Sequence, residues 1–413
     1  MKSLHIVLLL IPFVFVNASA GDWSAWRGPT GNGIAEAGQQ VPHRWSETDQ
    51  VVWKTLVPGR GHSSPIIVGK RLFLTTARES EGKQSVLCYD RDTGSLLWET
   101  TVLEGKLPEK IHAKNTHASA TVACDGERIF AVFLAGDDVV LVALTVDGRE
   151  LWRTVTGQYM WQYPFGYGAS PLIVGELVVV VCDVPETGYL VAYDRVSGRE
   201  AWRTPRPSKG SSWSSPILGE VAGKTTILLC GSERVAGYDP ETGRERYSVP
   251  GGPVATAGTV VCVDGIVYAS GGFPTKHTWA TDLKAGKVLW EHPVKCYEQS
   301  LLVVDGHVYA VTENGFAQCW SAKDGALKWK QRLAVAPESA SPVLAAGVIY
   351  FANEKGTVTL FRPNPDRYEE VAVNQLGNEI FATPTICGNR IYVRAALRKG
   401  GTRQETLYAI GTE

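Results

Sequence analysis

Tyr89-Asp90-Arg91-Asp92-Thr93-Gly94-Ser95-Leu96-Leu97-Trp98 decides how the rest of the chain is read. An apolar run leads in, an Asp-x-x-x-Gly turn reverses the chain, and a short run carrying tryptophan leads out. Tyr238-Asp239-Pro240-Glu241-Thr242-Gly243 repeats the turn, and looser forms stand at Asp147-Gly148, Asp194 to Gly198, Asp282 to Gly286 and Asp324-Gly325. The runs that follow are predicted to end at Trp98, Trp152, Trp202, Tyr247, Trp290 and Trp329, with a weaker counterpart around Tyr368. Asp-Gly and Gly-x pairs between apolar runs signal hairpins, because tight turns need residues that tolerate positive φ.

Upstream of each such turn lies a second one, at Gly69-Lys70, Asp125-Gly126, Gly175-Glu176, Gly219 to Lys224, Asp264-Gly265, Asp305-Gly306, Gly347 and Gly388-Asn389. Upstream again comes a Ser/Thr-Pro-type head. The heads are Ser64-Pro65, Ser119-Ala120, Ser170-Pro171, Ser215-Pro216, Gly258-Thr259, Ser300-Leu301, Ser341-Pro342 and Thr383-Pro384, spaced 41 to 55 residues apart. Each unit therefore holds four short antiparallel strands. One such sheet cannot bury both its faces, so the units must stack on their neighbours. The expected fold is all-β, an eight-bladed β-propeller. The last unit stops at a third strand, Leu407-Tyr408-Ala409-Ile410, while Val51-Val52-Trp53-Lys54-Thr55 has the outer-strand pattern ahead of the first head. Pairing these ends closes the ring and removes its open edge. The periodic aromatics read as packing between blades.

Composition agrees. Of 413 residues, 44% are hydrophobic, 43 are glycine, 22 are proline and only 2 are methionine. Lys plus Arg total 41 against 42 Asp plus Glu, so neither nucleic acid nor an anionic membrane surface is an expected partner. Lys2, the apolar Leu4 to Val16 and the small Ala18-Ser19-Ala20 read as a signal peptide cleaved near Ala20. No later run approaches the roughly 20 apolar residues of a membrane helix. The expected organisation is a signal peptide over 1–20, an extension over 21–46 that wraps the rim, and one propeller over 47–413. A monomer, periplasmic or secreted, is expected. The eight cysteines include no C-x-x-C pair, and several stand in valine-rich runs such as Val178 to Cys182, where they read as small buried hydrophobes.

The repeat, in the forms at Tyr89 to Trp98 and Tyr238 to Gly243, resembles the pyrroloquinoline-quinone-like (PQQ-like) propeller repeat over about residues 45 to 413. Trp23-Ser24-Ala25-Trp26-Arg27-Gly28-Pro29 and Lys114-Asn115-Thr116-His117-Ala118-Ser119 are similar to stretches of its secreted bacterial members. The resemblance implies either a quinoprotein dehydrogenase or a non-catalytic, BamB-like scaffold. The dehydrogenases hold their quinone between a tryptophan and a disulfide of adjacent cysteines, with calcium on a carboxylate and an amide. This chain has no Cys-Cys pair and no D-x-D-x-D loop. The expectation is accordingly a binding or scaffolding module without cofactor or catalytic residues; PQQ with calcium is the alternative.

In a propeller the segments ahead of each first strand surround one mouth of the central channel. That assigns Arg60, His62, Lys114, Asn115, His117, Tyr167, Trp213, Glu298 and Glu338 to it. Such a ring suits a small anionic or planar ligand or a cell-envelope protein, or is simply a solvated funnel. His62 and His117 lack a third ligand, so no metal site is expected. Gln158 to Gly168 carries five aromatics in eleven residues. Tyr159, Trp161, Tyr163 and Phe165 form a lid or partner-docking loop, or plug the propeller as satellite core; the sequence leaves both open. No G-x-S-x-G elbow, H-E-x-x-H pair or P-loop is present.

Overall fold

A computed structural model describes residues 21–105, 107–160, 165–333 and 338–412. Residues 1–20, expected to form a signal peptide, and Trp161 and Tyr163 lie outside them. Eight four-stranded antiparallel sheets succeed one another along the chain. Blade 1 is Ile66–Val68, Arg71–Arg78, Lys83–Asp90 and Leu96–Glu104, from axis to rim. The two middle strands are buried along nearly their whole length, whereas Leu96–Glu104 is largely exposed. A middle strand lies between two neighbouring blades and has both faces covered. Its sequence therefore reads as a continuous apolar run, as in Leu177–Cys182, instead of alternating.

The turn that opened the sequence reading closes on itself. Asp90 Oδ1 accepts the backbone N–H of Asp92 at 3.0 Å and of Thr93 at 2.8 Å, and Gly94 takes φ +71°. Those bonds, the Thr93 N–H foremost, hold the Asp90 carboxyl below its usual range.

The tryptophans do pack blade on blade. They stand near the start of each outer strand and not at its end, as Trp98 does within Leu96–Glu104. Each lies on the turn between the third and fourth strands of the next blade and donates its indole N–H to a carbonyl there: Trp53 to Arg91 at 2.9 Å, Trp98 to Val146 at 3.2 Å, Trp152 to Arg195 at 3.3 Å, Trp202 to Pro240 at 3.0 Å, Trp290 to Ala322 at 2.9 Å and Trp329 to Asn364 at 2.8 Å. The turn glycine is required by this approach. A Cβ on Gly198 would sit 2.6 Å from Trp152 Cδ2.

The ring closes as the two termini foretell. Val51–Val57 pairs antiparallel with Thr402–Ile410, placing Trp53 opposite Ala409 and Thr55 opposite Leu407. A buried polar cluster fastens the same seam. Arg394 donates through Nε to Glu405 Oε2 at 2.6 Å, and through Nη1 to Ser63 Oγ at 3.0 Å and the Thr75 carbonyl at 2.8 Å. Glu405 Oε1 accepts the Gly61 N–H at 3.1 Å. Blade 8 thereby grips blade 1 through groups that water does not reach.

The Ser/Thr heads form a second ring, near the axis. The Ser64 N–H donates to Thr121 Oγ1, Thr121 to Ser170, Ser170 to Ser215, Thr259 to Ser300, Ser300 to Ser341, Ser341 to Thr383 and Thr383 back to Ser64, all at 2.9–3.0 Å. Two details correct the sequence reading. The blade 2 head is Thr121, two residues after the expected Ser119. Between Ser215 and Thr259 the relay is interrupted among the described residues, and Thr259 Oγ1 instead accepts the indole N–H of Trp26 at 2.9 Å.

Trp26 belongs to the larger correction. Only the second half of the extension reaches toward the rim, where Trp45 and His43 bond Asn374 of an outer strand; residues 23–35 instead enter the channel from the end bearing the first hairpin turns. Trp23 exchanges both backbone hydrogen bonds with Ile67, at 2.8 and 2.9 Å. The Cys124 N–H donates to the Ser24 carbonyl, the Leu344 N–H to Gly33, and the Ala35 N–H to Leu344. Innermost strands of three residues leave unpaired inner edges, and the extension satisfies them. Residues 36–46 then run outward to blade 7, where the Trp45 ring stacks on Tyr350.

Candidate functional site

The plug forms a floor, so the remaining opening is the opposite end, where the sequence placed its candidates. The loop ahead of blade 2 crosses this mouth. Lys114 Nζ lies 2.7 Å from Glu354 Oε1 of blade 7 and 3.8 Å from Glu298 Oε1 of blade 6. Ser339 Oγ donates to Glu298 and also lies 2.5 Å from Glu354 Oε1. Burial alone would lower the Lys114 ammonium, but the two carboxylates outweigh it and hold its pKa above the usual value. Glu298 moves up, because burial outweighs its attraction to Lys114.

Glu338 is 1% exposed. Burial, reinforced by the Glu354 charge, pushes its carboxyl up to about 8 against the pull of Lys114 and Arg332. Among the described residues neither of its carboxylate oxygens has a hydrogen-bond partner at bonding geometry; the Gly315 N–H, bonded to the Thr312 carbonyl at 2.8 Å, adds only a weak downward pull. The neighbouring Gln299 gives its Nε2 to the Glu338 backbone carbonyl at 2.6 Å, and its own Oε1 is buried and unpartnered.

The other candidates gather in two groups. Asn115 Nδ2 donates to the Phe165 carbonyl at 2.8 Å, and Trp213 Nε1 to the Gly166 carbonyl at 2.7 Å. Tyr167 is buried with its hydroxyl on the Val181 carbonyl at 2.8 Å. Phe165 packs edge-on to both Trp213 and His112, with ring centroids 5.6 Å apart in each case. Tyr159 is a member of the core shared by blades 2 to 4. The described flanks of the aromatic insert are therefore packed down. Tyr159 and Tyr167 serve as core, and Phe165 braces the crossing loop.

The second group lies over the seam. The His62 ring stacks on Phe381 at 4.2 Å. Burial first, then the charges of Arg60, Arg403 and Arg394, drive its pKa well below the usual value, so it is neutral. Arg60 lies 3.9 Å from Glu79, a loose exposed pair. His117 is half-buried and its pKa is lowered by burial. The described residues contain no cluster of three or more His, Cys, Asp or Glu side chains able to hold a metal.

Sequence reasoning missed Glu354, Ser339, Gln299 and the seam group of Arg394, Arg403 and Glu405. Glu354 sits on the hairpin between the second and third strands of blade 7. Those hairpins share the mouth end with the blade heads, and that rule applied to the repeat would have found it.

Ring, closure and inter-blade tryptophans define the class: a PQQ-like eight-bladed β-propeller. The chain belongs to the family described as outer membrane protein assembly factor BamB, whose model matches residues 82–331 and 276–364. It is 24% identical to the outer membrane protein assembly factor BamB of Yersinia pestis over 392 residues, covering 90% of each chain. Among solved structures, BamB from Moraxella catarrhalis superposes with a TM-score of 0.62 at 16% identity, covering 87% of this chain and 96% of that one. The quinohemoprotein alcohol dehydrogenase from Comamonas testosteroni does so at 0.68 and 13% identity, covering 98% and 83%. At these identities the superpositions establish the fold.

Proposed function

We propose that this chain is a non-catalytic scaffold of the bacterial cell envelope, exported after removal of its leader, that docks partner proteins of outer-membrane assembly at the channel mouth. The observation that carries the reading is the family match across the blades, together with near full-length similarity to a BamB protein. The molecule's use of its axis supports it. The floor is closed by the chain's own residues 23–35, and Lys114 ties the mouth loop to the opposite blades. Propeller neighbours that are alcohol dehydrogenases raise the quinoprotein alternative, and the residues present do not fit it. All eight cysteines are free, in separate strands or loops, and seven are buried. No two are neighbours in the chain, so no adjacent-cysteine disulfide backs a quinone disc; burial also raises their thiol pKa values, to about 12 for Cys88 and Cys182.

Two measurements test the proposal. Depletion of the protein should lower the outer-membrane content of β-barrel proteins, and in-cell cross-linking from the mouth at Lys110 or His112 should capture an assembly component. Purified protein given PQQ and calcium should release the quinone on gel filtration. Stoichiometric retention with dye reduction by alcohols would refute the scaffold reading.

A further inference from the structure

The mouth cluster is electrostatically incomplete. Three carboxyl groups share the ammonium of Lys114: Glu354 and Glu298 by approach, and Glu338 only through its field, to which Arg332 adds, while the nearby Lys295 is paired with Glu313. Lys114 is already committed to Glu354 at 2.7 Å and stands 3.8 Å from Glu298. Its partners are thus accounted for, and Glu338 receives none of its donors.

Hydrogen-bond accounting gives the same result independently of charge. Among the described residues both oxygens of Glu338 are buried without a partner, and so is Oε1 of Gln299, a neutral side chain held to the Glu338 backbone carbonyl through its Nε2. Once Glu338 is ionised, every idle atom in this corner is an acceptor. Buried acceptors left idle cost about 1–3 kcal/mol each, so a group that brings several N–H donors and positive charge to these adjoining side chains gains by pairing with them. Two idle oxygens on one carboxylate suit a planar fork of parallel donors, which is the geometry of guanidinium and not of an ammonium point charge.

We infer that the corner formed by Glu338, Gln299 and Glu354 is a receptor for a guanidinium group, supplied by an arginine side chain of a docked protein. The inference rests on the reading of the mouth as the docking face and specifies the chemistry recognised there. Access is through Lys114. Its side chain is 30% exposed while Glu354 is 10% exposed, so the lysine can swing into solvent and yield its carboxylates without unpacking a blade. The incoming arginine exchanges with Lys114 as counter-ion and fills the acceptors that Lys114 never reaches.

The test needs no partner, so its failure is separable from failure of the scaffold reading. The full mature protein, carbon-13 labelled at glutamate carboxyls, is titrated with N-acetyl-arginine amide, and in parallel arms with N-acetyl-lysine amide and calcium chloride. The Glu338 carboxyl resonance is expected to move and its titration midpoint to fall with the arginine probe. The lysine probe should bind several-fold more weakly. Glu338→Gln should weaken arginine binding at least tenfold with an unchanged or raised melting temperature. Lys114→Met, which removes the competing cation, should strengthen it several-fold. The inference is overturned by an unmoved Glu338 resonance in wild type, equal binding to Glu338→Gln, weaker binding to Lys114→Met, or calcium outcompeting arginine. The wild-type titration decides even if a variant fails to fold.

Discussion

Replacing Glu405 by glutamine should open the propeller at its seam. Glu405 is 1% exposed and Arg394 3%, so neither is solvated in the folded chain. The carboxylate accepts from Arg394 at 2.6 Å, from the Gly61 N–H at 3.1 Å and from Arg403. Glutamine keeps the shape and one acceptor but turns an NH₂ toward groups that are themselves donors, and it leaves Arg394 as a buried charge with no counter-ion. Breaking one partner of such a pair costs about 3–5 kcal/mol. For ~390 folded residues the unfolding entropy is about 0.8 kcal/mol/K, which makes the loss a fall of about 4–6 °C in melting temperature. Guanidinium chloride unfolding followed by tryptophan fluorescence reads the loss. Hydrogen exchange should locate it as early deprotection of the Val51–Val57 and Thr402–Ile410 amides, while blades 3 to 6 keep their protection. The double variant Glu405→Leu with Arg394→Met should recover most of the stability, because it removes both charges together. A Glu405→Gln loss below about 1 kcal/mol, or exchange that rises evenly round the ring, would refute a seam held by this cluster.

Gly198→Ala should cost about 2–4 kcal/mol, since φ is +69° and the new Cβ meets Trp152 at 2.6 Å; Gly175→Ala, at φ +55° with nothing within 4 Å, should cost only about 1 kcal/mol, and thermal melts of the pair separate packing from backbone strain. Trp26→Phe and Thr259→Val each remove one side of the bond that bridges the interrupted inner ring, so each should cost about 1 kcal/mol while the double variant costs little more than either, a coupling read by a double-mutant cycle. The Glu338 carboxyl, facing Glu354, Lys114 and Arg332, has its folded pKa raised to about 8 from an ordinary 4.5. The folded state therefore binds that proton more tightly, and its contribution is greatest below about pH 4.5 and falls as pH rises to about 8, by at most about 4–5 kcal/mol. Denaturation midpoints across that window should decline in wild type and flatten in Glu338→Gln.

The repeat, the turns and the closing strand were all legible because each is a local pattern. Trp53 followed by Lys54 carries the outer-strand signature wherever it stands in the chain, and a ring of like sheets gives its last vacant edge only one strand to accept. The blade 2 head was misplaced because two Ser/Thr residues, Ser119 and Thr121, precede its first strand and only the neighbour across the interface selects between them. The extension was misread for a different reason. Residues 23–35 have no period of their own, since they pair with Ile67, Cys124 and Leu344, edges set by three separate blades.

Sequence alone thus determined the number of blades, their internal order and the seam, because short-range turn chemistry and burial on two faces leave a period in the chain. Tertiary structure decided what fills the axis and which charges meet at the mouth. Lys114 and Glu354 are 240 residues apart in number and come within 2.7 Å only because a loop from blade 2 spans the channel to blade 7. No local pattern encodes a contact made across a closed ring.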